Sequence, residues 1–298
     1  MTNVRNGLIG LIVSAVLVSV GSCGGGSGGY GGGSSSAAAT VIRTASLDGA
    51  QAGTGAAGIG RGAVVVTPTM DINGRRDITG GITFTGLTST PTAAHIHRLD
   101  GTPFLPLDLA SDNATATIPA NTKLSTNDYA ELLAGYLYFN VHTPLPNGFP
   151  SGEIRGQITG TTGVTAGLAT LNGAQETPAN ASTATGQGTI VFDSASPNAI
   201  LICYVTHNVT NTTVAHVHSG APGQSGLPNV VNPLTQGTNI YTAPVAIPPA
   251  LPTNVSAHAA DINAGNTYFN VHSSNSICGT DGLSSCSGGE IRGQIAVQ

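Results

Sequence analysis

Six histidines recur in two matching sets of three: His95, His97 and His142, then His216, His218 and His272. The first two of each set form a His-x-His pair, and the third ends the word "YFNVH". Alternate residues of a β-strand project from one face, so each pair offers two imidazoles side by side, as copper or zinc requires. A third imidazole from a neighbouring strand would complete a three-nitrogen site. The alternative is that the histidines hydrogen-bond to loop backbone or pair with Glu153 and Glu290.

The histidine sets belong to a longer repeat. "SLDGAQ" at 46–51 is answered by "TLNGAQ" at 170–175, and "GEIRGQI" occurs at 152–158 and again at 289–295. The landmarks keep their order at a spacing of about 120 residues, which is the size of one domain. The sequence therefore predicts two copies of one domain, at residues 41–160 and 165–298.

Composition favours strands over helices. Charged residues make up 8% of the chain, tryptophan is absent, and 42 glycines accompany many β-branched residues. No segment after residue 25 has sustained apolar spacing at 3.6 residues. In contrast, "ITGGITFTGL", "GTIVF" and "AILICYVTHNV" are typical of short strands between turns. We expect an all-β protein.

The third histidine of each set lies in a predicted antiparallel hairpin. In "LYFNVH" (137–142) the two-residue strand period turns the apolar residues toward the core and Tyr138, Asn140 and His142 outward. The same period gives "GEIRGQI" a polar outer face, where cross-strand pairs would fix the register. The expected outward polar cluster consists of Glu153, Arg155, Glu290 and Arg292.

The start of the chain is typical of an export signal. Arg5 precedes an apolar run from Gly7 to Val20, shorter than the ~20 residues that span a bilayer. The following "VGSC" resembles a bacterial lipobox, in which Cys23 becomes the lipidated first residue. The alternative is an ordinary signal peptide with a chance cysteine. We expect a signal peptide at 1–22, a lipidated cysteine and Gly/Ser tether at 23–40, and an exported protein anchored on the outer side of a membrane in a bacterial cell envelope.

The remaining cysteines allow one disulfide. Cys278 and Cys286 lie in the loop where the second copy is longer than the first, and a bridge between them would close a small loop in an oxidising compartment. Cys203 lies in a predicted strand and is expected to be a buried free thiol. It could instead pair with Cys278 or Cys286, and three free thiols are the remaining alternative.

Charge and motifs exclude several classes of function. The net charge is −5 and Lys123 is the single lysine, so there is no basic patch for nucleic acid. The sequence has no Walker-type loop and no H-E-x-x-H motif. We therefore expect no nucleic-acid partner.

Longer words carry a family resemblance. "GAQETPANASTATGQG", "AHVHSGAPGQSG", "YFNVHS" and "GGEIRGQI" follow one another in the second copy, and they resemble the chordin-type (CHRD) domain, a module of chordin and of many bacterial secreted proteins. The resemblance covers nearly all of residues 41–298. It implies extracellular β-sandwich modules. The expected fold is two tandem antiparallel Greek-key β-sandwich domains, immunoglobulin-like or superoxide-dismutase-like, behind a disordered N-terminal segment.

The first copy departs from the family pattern at two places. It lacks a counterpart of Glu176, and it has "HIHRLDGTPF" where the second copy has the glycine-rich "HVHSGAPGQSG". Any role carried by Glu176 or by that loop is therefore not expected of the first copy.

These patterns favour a non-enzymatic module of the cell envelope, one that binds an extracellular protein or glycan or forms part of the surface. The alternative is a module that binds copper or zinc through the three histidines of each copy. The His-x-His pairs are similar to the copper ligands of copper-zinc superoxide dismutases, which adds an activity of that type as a third interpretation. The zinc-ligand histidines and aspartate of that enzyme have no evident counterpart here.

Overall fold

The computed structural model describes most of the chain after residue 38. The described ranges are 39–161, 163–193, 200–231, 234–236, 240–242, 255–278 and 285–298. The expected signal peptide, Cys23 and nearly all of the tether lie outside these ranges. No helix within them is long and apolar enough to cross a bilayer.

The first domain is a nine-stranded antiparallel sheet. Its strands are β1 (Val41–Asp48), β2 (Ile59–Met70), β3 (Arg76–Thr85), β4 (Ala93–Arg98), β5 (Pro103–Leu109), β6 (Thr115–Thr117), β7 (Lys123–Leu124), β8 (Leu137–His142) and β9 (Ile154–Gln157). The helices α1 (Gly49–Ala52) and α2 (Thr126–Leu133) lie between them. The strand order is β2-β1-β9-β8-β4-β5-β6-β3-β7, and β2 also pairs with β3, so the sheet closes on itself as a barrel.

The second domain repeats this architecture. Its strands are β10 (Val164–Asn172), β11 (Thr185–Asp193), β12 (Ile200–His207), β13 (Thr212–Ser219), β14 (Thr235–Gln236), β15 (Ile240–Thr242), β16 (Thr267–Ser273), β17 (Ile291–Gln294) and β18 (Ala296–Val297). Helix α3 (Val255–Asn263) and the 3₁₀ helices Gly173–Gln175 and Cys286–Gly288 connect them. The order is β13-β16-β17-β10-β11-β12-β15-β14, with β18 beside β10. The expected all-β class and tandem antiparallel domains are confirmed.

The helices are the part of the fold that the sequence patterns missed. Helix α2 is eight residues long and buries only Leu132, so its apolar spacing is too short to be recognised. A local signal was present in the sequence. The Ser125 side chain accepts a hydrogen bond from Asp128 N–H and the Asp128 carboxylate accepts one from Ser125 N–H, so the two residues form a capping box. Helix α3, at nine residues, occupies the corresponding place before β16.

A phenylalanine fills the centre of each domain, and a glycine makes room for it. Phe139 and Phe269 are fully buried, at 0% exposure. A Cβ atom on Gly62 of β2 would lie 2.8 Å from the Phe139 ring, and one on Gly188 of β11 would lie 2.4 Å from the Phe269 ring. The close approach of ring and backbone explains why glycine occupies these positions inside β2 and β11.

The two domains pack against each other through strands β2 and β3 of the first and β10 to β12 of the second. The buried apolar members of this interface are Ala63, Val65, Ala166, Val191, Leu201, Ile202 and Tyr204. The Tyr204 hydroxyl lies 2.6 Å from Thr79 Oγ1 and accepts a hydrogen bond from Gly80 N–H at 3.1 Å. None of these residues lies on β4, β8, β13 or β16, so the histidine-bearing strands do not contribute to this apolar interface.

Candidate metal centre

Two neighbouring strands in each domain bring the histidines together. β4 pairs with β8 in a register that sets Ala93 opposite His142. His95 and His97 project from the face that also carries His142, so the third imidazole lies diagonally beside the first two. Ile96, between them, points into the core and is 1% exposed. β13 and β16 repeat this register in the second domain.

The side chains form two compact clusters. In the first, the ring centroids of His95 and His142 are 4.9 Å apart, and His97 lies 5.4 Å from each. In the second, the centroids are 5.0 to 6.0 Å apart. In both clusters one ligand nitrogen from each ring lies within 4.8 Å of the other two. The structure thus brings the third histidine to the His-x-His pair in both domains.

Backbone carbonyls orient the rings of the first cluster. His97 Nδ1 donates to Gly101 O at 2.9 Å, and His142 Nδ1 donates to Pro150 O at 2.9 Å. Each ring therefore carries its proton on Nδ1 and keeps Nε2 as a lone-pair donor, a tautomer assigned from this network. His95 Nδ1 donates to His142 Nε2 at 3.0 Å. This bond joins the ring of His95 to that of His142.

The second cluster has the same hydrogen bonds. His218 Nδ1 donates to Gly226 O at 3.0 Å and His272 Nδ1 donates to Ser287 O at 2.9 Å. His216 Nδ1 lies 3.2 Å from His272 Nε2. A histidine whose second nitrogen bonds a carbonyl is the usual arrangement of a metal ligand, because that bond fixes both the tautomer and the ring orientation.

One nitrogen in each cluster is buried without a partner. His97 Nε2 and His218 Nε2 have no hydrogen-bond partner among the described residues, and their side chains are 5% and 6% exposed. A buried polar atom left unpaired costs roughly 1–3 kcal/mol, so such atoms call for an explanation. One cation bound to each cluster would satisfy the unpaired nitrogen of that cluster.

Burial lowers the pKa of five of these imidazoles and so favours their neutral form. It brings the pKa of His216 and that of His218 from the ordinary 6.5 to about 4. It also lowers the pKa of His95, where the neighbouring imidazoles add to the effect, and the pKa values of His142 and His272. Neutral imidazole is the form that ligates metals, so these five histidines are in the ligating form at pH 7.

A tyrosine and an arginine flank the central histidine. The Tyr138 ring on β8 stacks on His97 of β4 with centroids 5.2 Å apart, and Arg155 of β9 places its guanidinium carbon 3.5 Å from the Tyr138 ring centroid. In the second domain the Tyr268 ring stacks on His218 with centroids 4.8 Å apart, and the Arg292 guanidinium carbon lies 3.5 Å from the Tyr268 ring centroid. The tyrosine that begins "YFNVH" in both copies is thus the stacking partner of the central histidine. Its repetition was a signal that reasoning from histidine spacing did not use.

The polar face of the hairpin differs from expectation, because loops cover it. Glu153 is 0% exposed and does not pair with Arg155; its carboxylate accepts hydrogen bonds at 2.6–2.8 Å from the Thr88 backbone and hydroxyl and from the Thr143 hydroxyl. The donors around Glu290 in the second domain come from Ser182, Ser273 and Asn275. Among the described residues neither glutamate bonds any of the six clustered histidines, so the pairing of those histidines with Glu153 and Glu290 considered from the sequence is wrong. The other alternative, bonds to loop backbone, is observed for His97, His142, His218 and His272. The glutamates instead tie loops to the hairpin.

The cysteines beside the second cluster are arranged as expected. Cys278 and Cys286 form a disulfide with Cα atoms 5.0 Å apart. The bridge lies next to Ser287, whose carbonyl orients His272. Cys203 is a buried free thiol, and burial raises its pKa.

Glu176 adds a carboxylate to the second domain alone. Burial raises its pKa to about 7, against the pull of the nearby Arg292. Its Oε1 atom is buried and has no hydrogen-bond partner among the described residues. Ala52 occupies the corresponding position of the first domain, after the shared Gly-Ala-Gln. The second domain therefore has a buried carboxylate near Arg292 that the first domain lacks.

The donor set fits copper or zinc. Three imidazole nitrogens within 4.8 Å of one another can converge on one ion at the ~2.0–2.1 Å bond length of Zn–N, and imidazole suits both metals. No carboxylate or thiolate joins either group, which disfavours calcium and magnesium. Three protein ligands leave a coordination position for an external ligand, and His95 and His216 are only partly buried.

Fold and site together define a class: tandem antiparallel β-barrel or sandwich-like domains, each with one three-histidine cluster. The chain belongs to the CHRD family, because the model of the CHRD domain matches residues 43–158 and again residues 168–295. This membership indicates β-sandwich binding modules. Comparisons with curated proteins and with solved structures returned no match.

Proposed function

We propose that this chain is a metal-binding module of the bacterial cell envelope, and that each domain holds one copper or zinc ion through its three histidines. The observation that carries the proposal is the pair of buried, partnerless nitrogens, His97 Nε2 and His218 Nε2. Each belongs to a histidine that has a ligand nitrogen within 4.8 Å of a nitrogen from each of two further imidazoles. A structural histidine plug would use those nitrogens in hydrogen bonds within the protein.

The donor chemistry narrows the class of metal. All three donors of a site are neutral imidazoles, the ligand type shared by copper and zinc sites. The bound ion would replace the hydrogen bond from His95 to His142, and the His95 proton would then reside on its other nitrogen. The role is binding, with an external ligand in the remaining position, and a dismutase-type reaction is not part of the proposal.

The envelope location rests on the sequence. "VGSC" at 20–23 followed by a Gly/Ser tether supports an acylated Cys23 and a module held off the outer side of a membrane. A tethered module of this kind would meet metal ions before they reach the cell, and it could also contact an extracellular protein or glycan. Intact-mass analysis of the mature protein would show a lipidated N-terminal cysteine, and an unmodified start at any other residue would contradict the anchor.

Thermal unfolding with added metal tests the binding proposal. The melting temperature of the full chain should rise with copper or zinc, because a ligand that binds the native state alone stabilises it. His97→Ala and His218→Ala should each remove part of the rise, and the double variant should remove all of it. Lys123→Ala, which changes an exposed ion pair with Asp77 in the first domain, is the control and should keep the rise. A melting temperature that copper and zinc leave unchanged would contradict the proposal.

A further inference from the structure

The two metal sites differ in the segment that supplies the carbonyl to the central histidine. Gly101 O comes four residues after His97, whereas Gly226 O comes eight residues after His218. The same ligand is therefore oriented by a short turn in the first domain and by a longer loop in the second. We name the latter, residues 220–226, the 220s loop.

The turn in the first domain closes by itself. Arg98 N–H donates to Thr102 O at 3.0 Å, and Gly101 N–H donates back to Arg98 O at 2.9 Å. The Asp100 carboxylate accepts from Thr102 N–H at 2.9 Å. These bonds are local and none of them involves Arg155, although the Arg98 side chain is tied to Asp128 and Glu131 by ion pairs.

The 220s loop is held from outside. Arg292 donates from Nη1 to Gln224 O at 2.9 Å and from Nη2 to Ala221 O at 3.0 Å. It also reaches Thr177 Oγ1 at 3.3 Å and Gln294 Oε1 at 3.0 Å, and its side chain is 2% exposed. Pro222, Gly223, Gln224 and Ser225, the tip of the loop, are exposed.

Tyr268 is the second tether of the loop. Its hydroxyl accepts a hydrogen bond from Gly226 N–H at 3.1 Å. Gly226 is also the residue whose carbonyl orients His218. Its ring stacks on His218, and the Arg292 guanidinium lies 3.5 Å from the ring centroid. The loop packs so closely that a Cβ on Gly226 would lie 1.5 Å from Ser219 O. Loop, tyrosine, arginine and metal ligand therefore form one connected unit.

We propose that Arg292 is a positioning residue of the second metal site: it fixes the 220s loop so that Gly226 O orients His218, and metal binding at His218 in turn orders that exposed loop. This inference rests on the proposed metal binding. Linkage makes the effect reciprocal: the factor by which ordering of the loop raises metal affinity is the factor by which metal binding favours the ordered loop. Arg155 has the same place over Tyr138 but no such loop to hold, so the first site lacks this coupling.

Zinc affinity at each site tests the positioning role. The second site is measured in full-length His97→Ala protein and the first in His218→Ala protein, by competition with a chelator. Arg292→Gln should weaken zinc binding at the second site by roughly 10- to 100-fold, the usual cost of losing an outer-shell partner. Arg155→Gln removes the counterpart that stands over Tyr138 but bonds no such loop, so it should weaken the first site by clearly less than Arg292→Gln weakens the second. Arg292→Lys, which cannot bond both carbonyls in one plane, should restore the affinity only in part.

Hydrogen exchange of the 220s loop supplies a readout that a purely structural role would not move. Zinc should slow exchange at the amides of Gln224 and Gly226 in wild-type protein, and Arg292→Gln should abolish that slowing. An arginine that only stabilised the fold would lower the melting temperature equally with and without zinc.

A gentler pair of variants covers the case in which Arg292→Gln does not fold. Tyr268→Phe keeps the stacked ring but removes the hydroxyl that accepts from Gly226 N–H at 3.1 Å and lies 3.3 Å from His218 Nδ1. It should lower zinc affinity at the second site by more than Tyr138→Phe, which also keeps its ring, lowers the affinity of the first. Equal effects of the paired variants, or zinc binding without any slowing in the loop, would overturn the inference and leave the metal sites standing. Absence of both zinc and copper binding at the two wild-type sites would overturn the proposed function itself.

Discussion

The ring of Tyr138 stacks on the ring of His97 with centroids 5.2 Å apart. Tyr138 is 5% exposed, so it is closed off from solvent. The stack fixes the plane of the imidazole, and the hydrogen bond to Gly101 O fixes its rotation. A ligand constrained in both respects is preorganised, so little side-chain entropy is lost when an ion binds.

The metal-free protein should lose stability in acid. The pKa values of His216 and His218 are about 4 in the folded protein and 6.5 ordinarily, so between these values the unfolded chain binds more protons than the folded one. The stabilising contribution of these two histidines is therefore fully present above pH 6.5 and is lost as the pH drops toward 4. Urea unfolding of the chelator-treated chain across this range measures the effect. His216→Gln should flatten the curve, and an unchanged slope in this variant would contradict the burial argument.

Gly188→Ala should destabilise the second domain by about 1–3 kcal/mol, because the added methyl would lie 2.4 Å from the Phe269 ring in a packed core. Gly288→Ala is the control, since a Cβ there meets nothing within 4 Å. Chemical denaturation compares the two variants. Equal stability of both would show that the ring has room to move.

Breaking the Cys278–Cys286 disulfide should cost on the order of 2–3 kcal/mol, the chain entropy of closing a loop with a sequence separation of 8. Cys278→Ser with Cys286→Ser tests this by denaturation. Alkylation of the unreduced native chain should label neither residue, and Cys203 should react only after unfolding, because it is buried. Labelling of Cys278 and Cys286 in the unreduced chain would rule out the bridge.

Glu176→Gln should stabilise the protein at about pH 8 by on the order of 1–3 kcal/mol and have little effect near pH 4.5. The pKa of Glu176 is raised to about 7, so the folded state holds a proton that the unfolded state releases above 4.5, and stability is lost as the pH rises through 7. Melting temperatures at the two pH values decide the matter. A loss of stability at pH 8 would mean that the attraction to Arg292 outweighs the cost of burying the charge.

Local patterns were sufficient to predict the ligands but not their surroundings. The placement of His95 and His97 on one face follows from the two-residue period of a strand, and the repeat marked His142 as the third member. The partners of Glu153 could not be inferred, because Thr88 lies 65 residues away and reaches it through a loop. The path of the 220s loop toward Arg292 is likewise a tertiary property, since the two bonded segments are separated by about 70 residues.

The metal content of the full-length chain tests the central claim most directly. The protein is purified without a chelator or a polyhistidine tag, incubated with copper or zinc, freed of excess metal and analysed by mass spectrometry for bound ions. Because each domain has its own three-histidine cluster, the account predicts two equivalents per chain, one after either His97→Ala or His218→Ala, and none in the double variant. A wild-type chain that retains no copper and no zinc would contradict it.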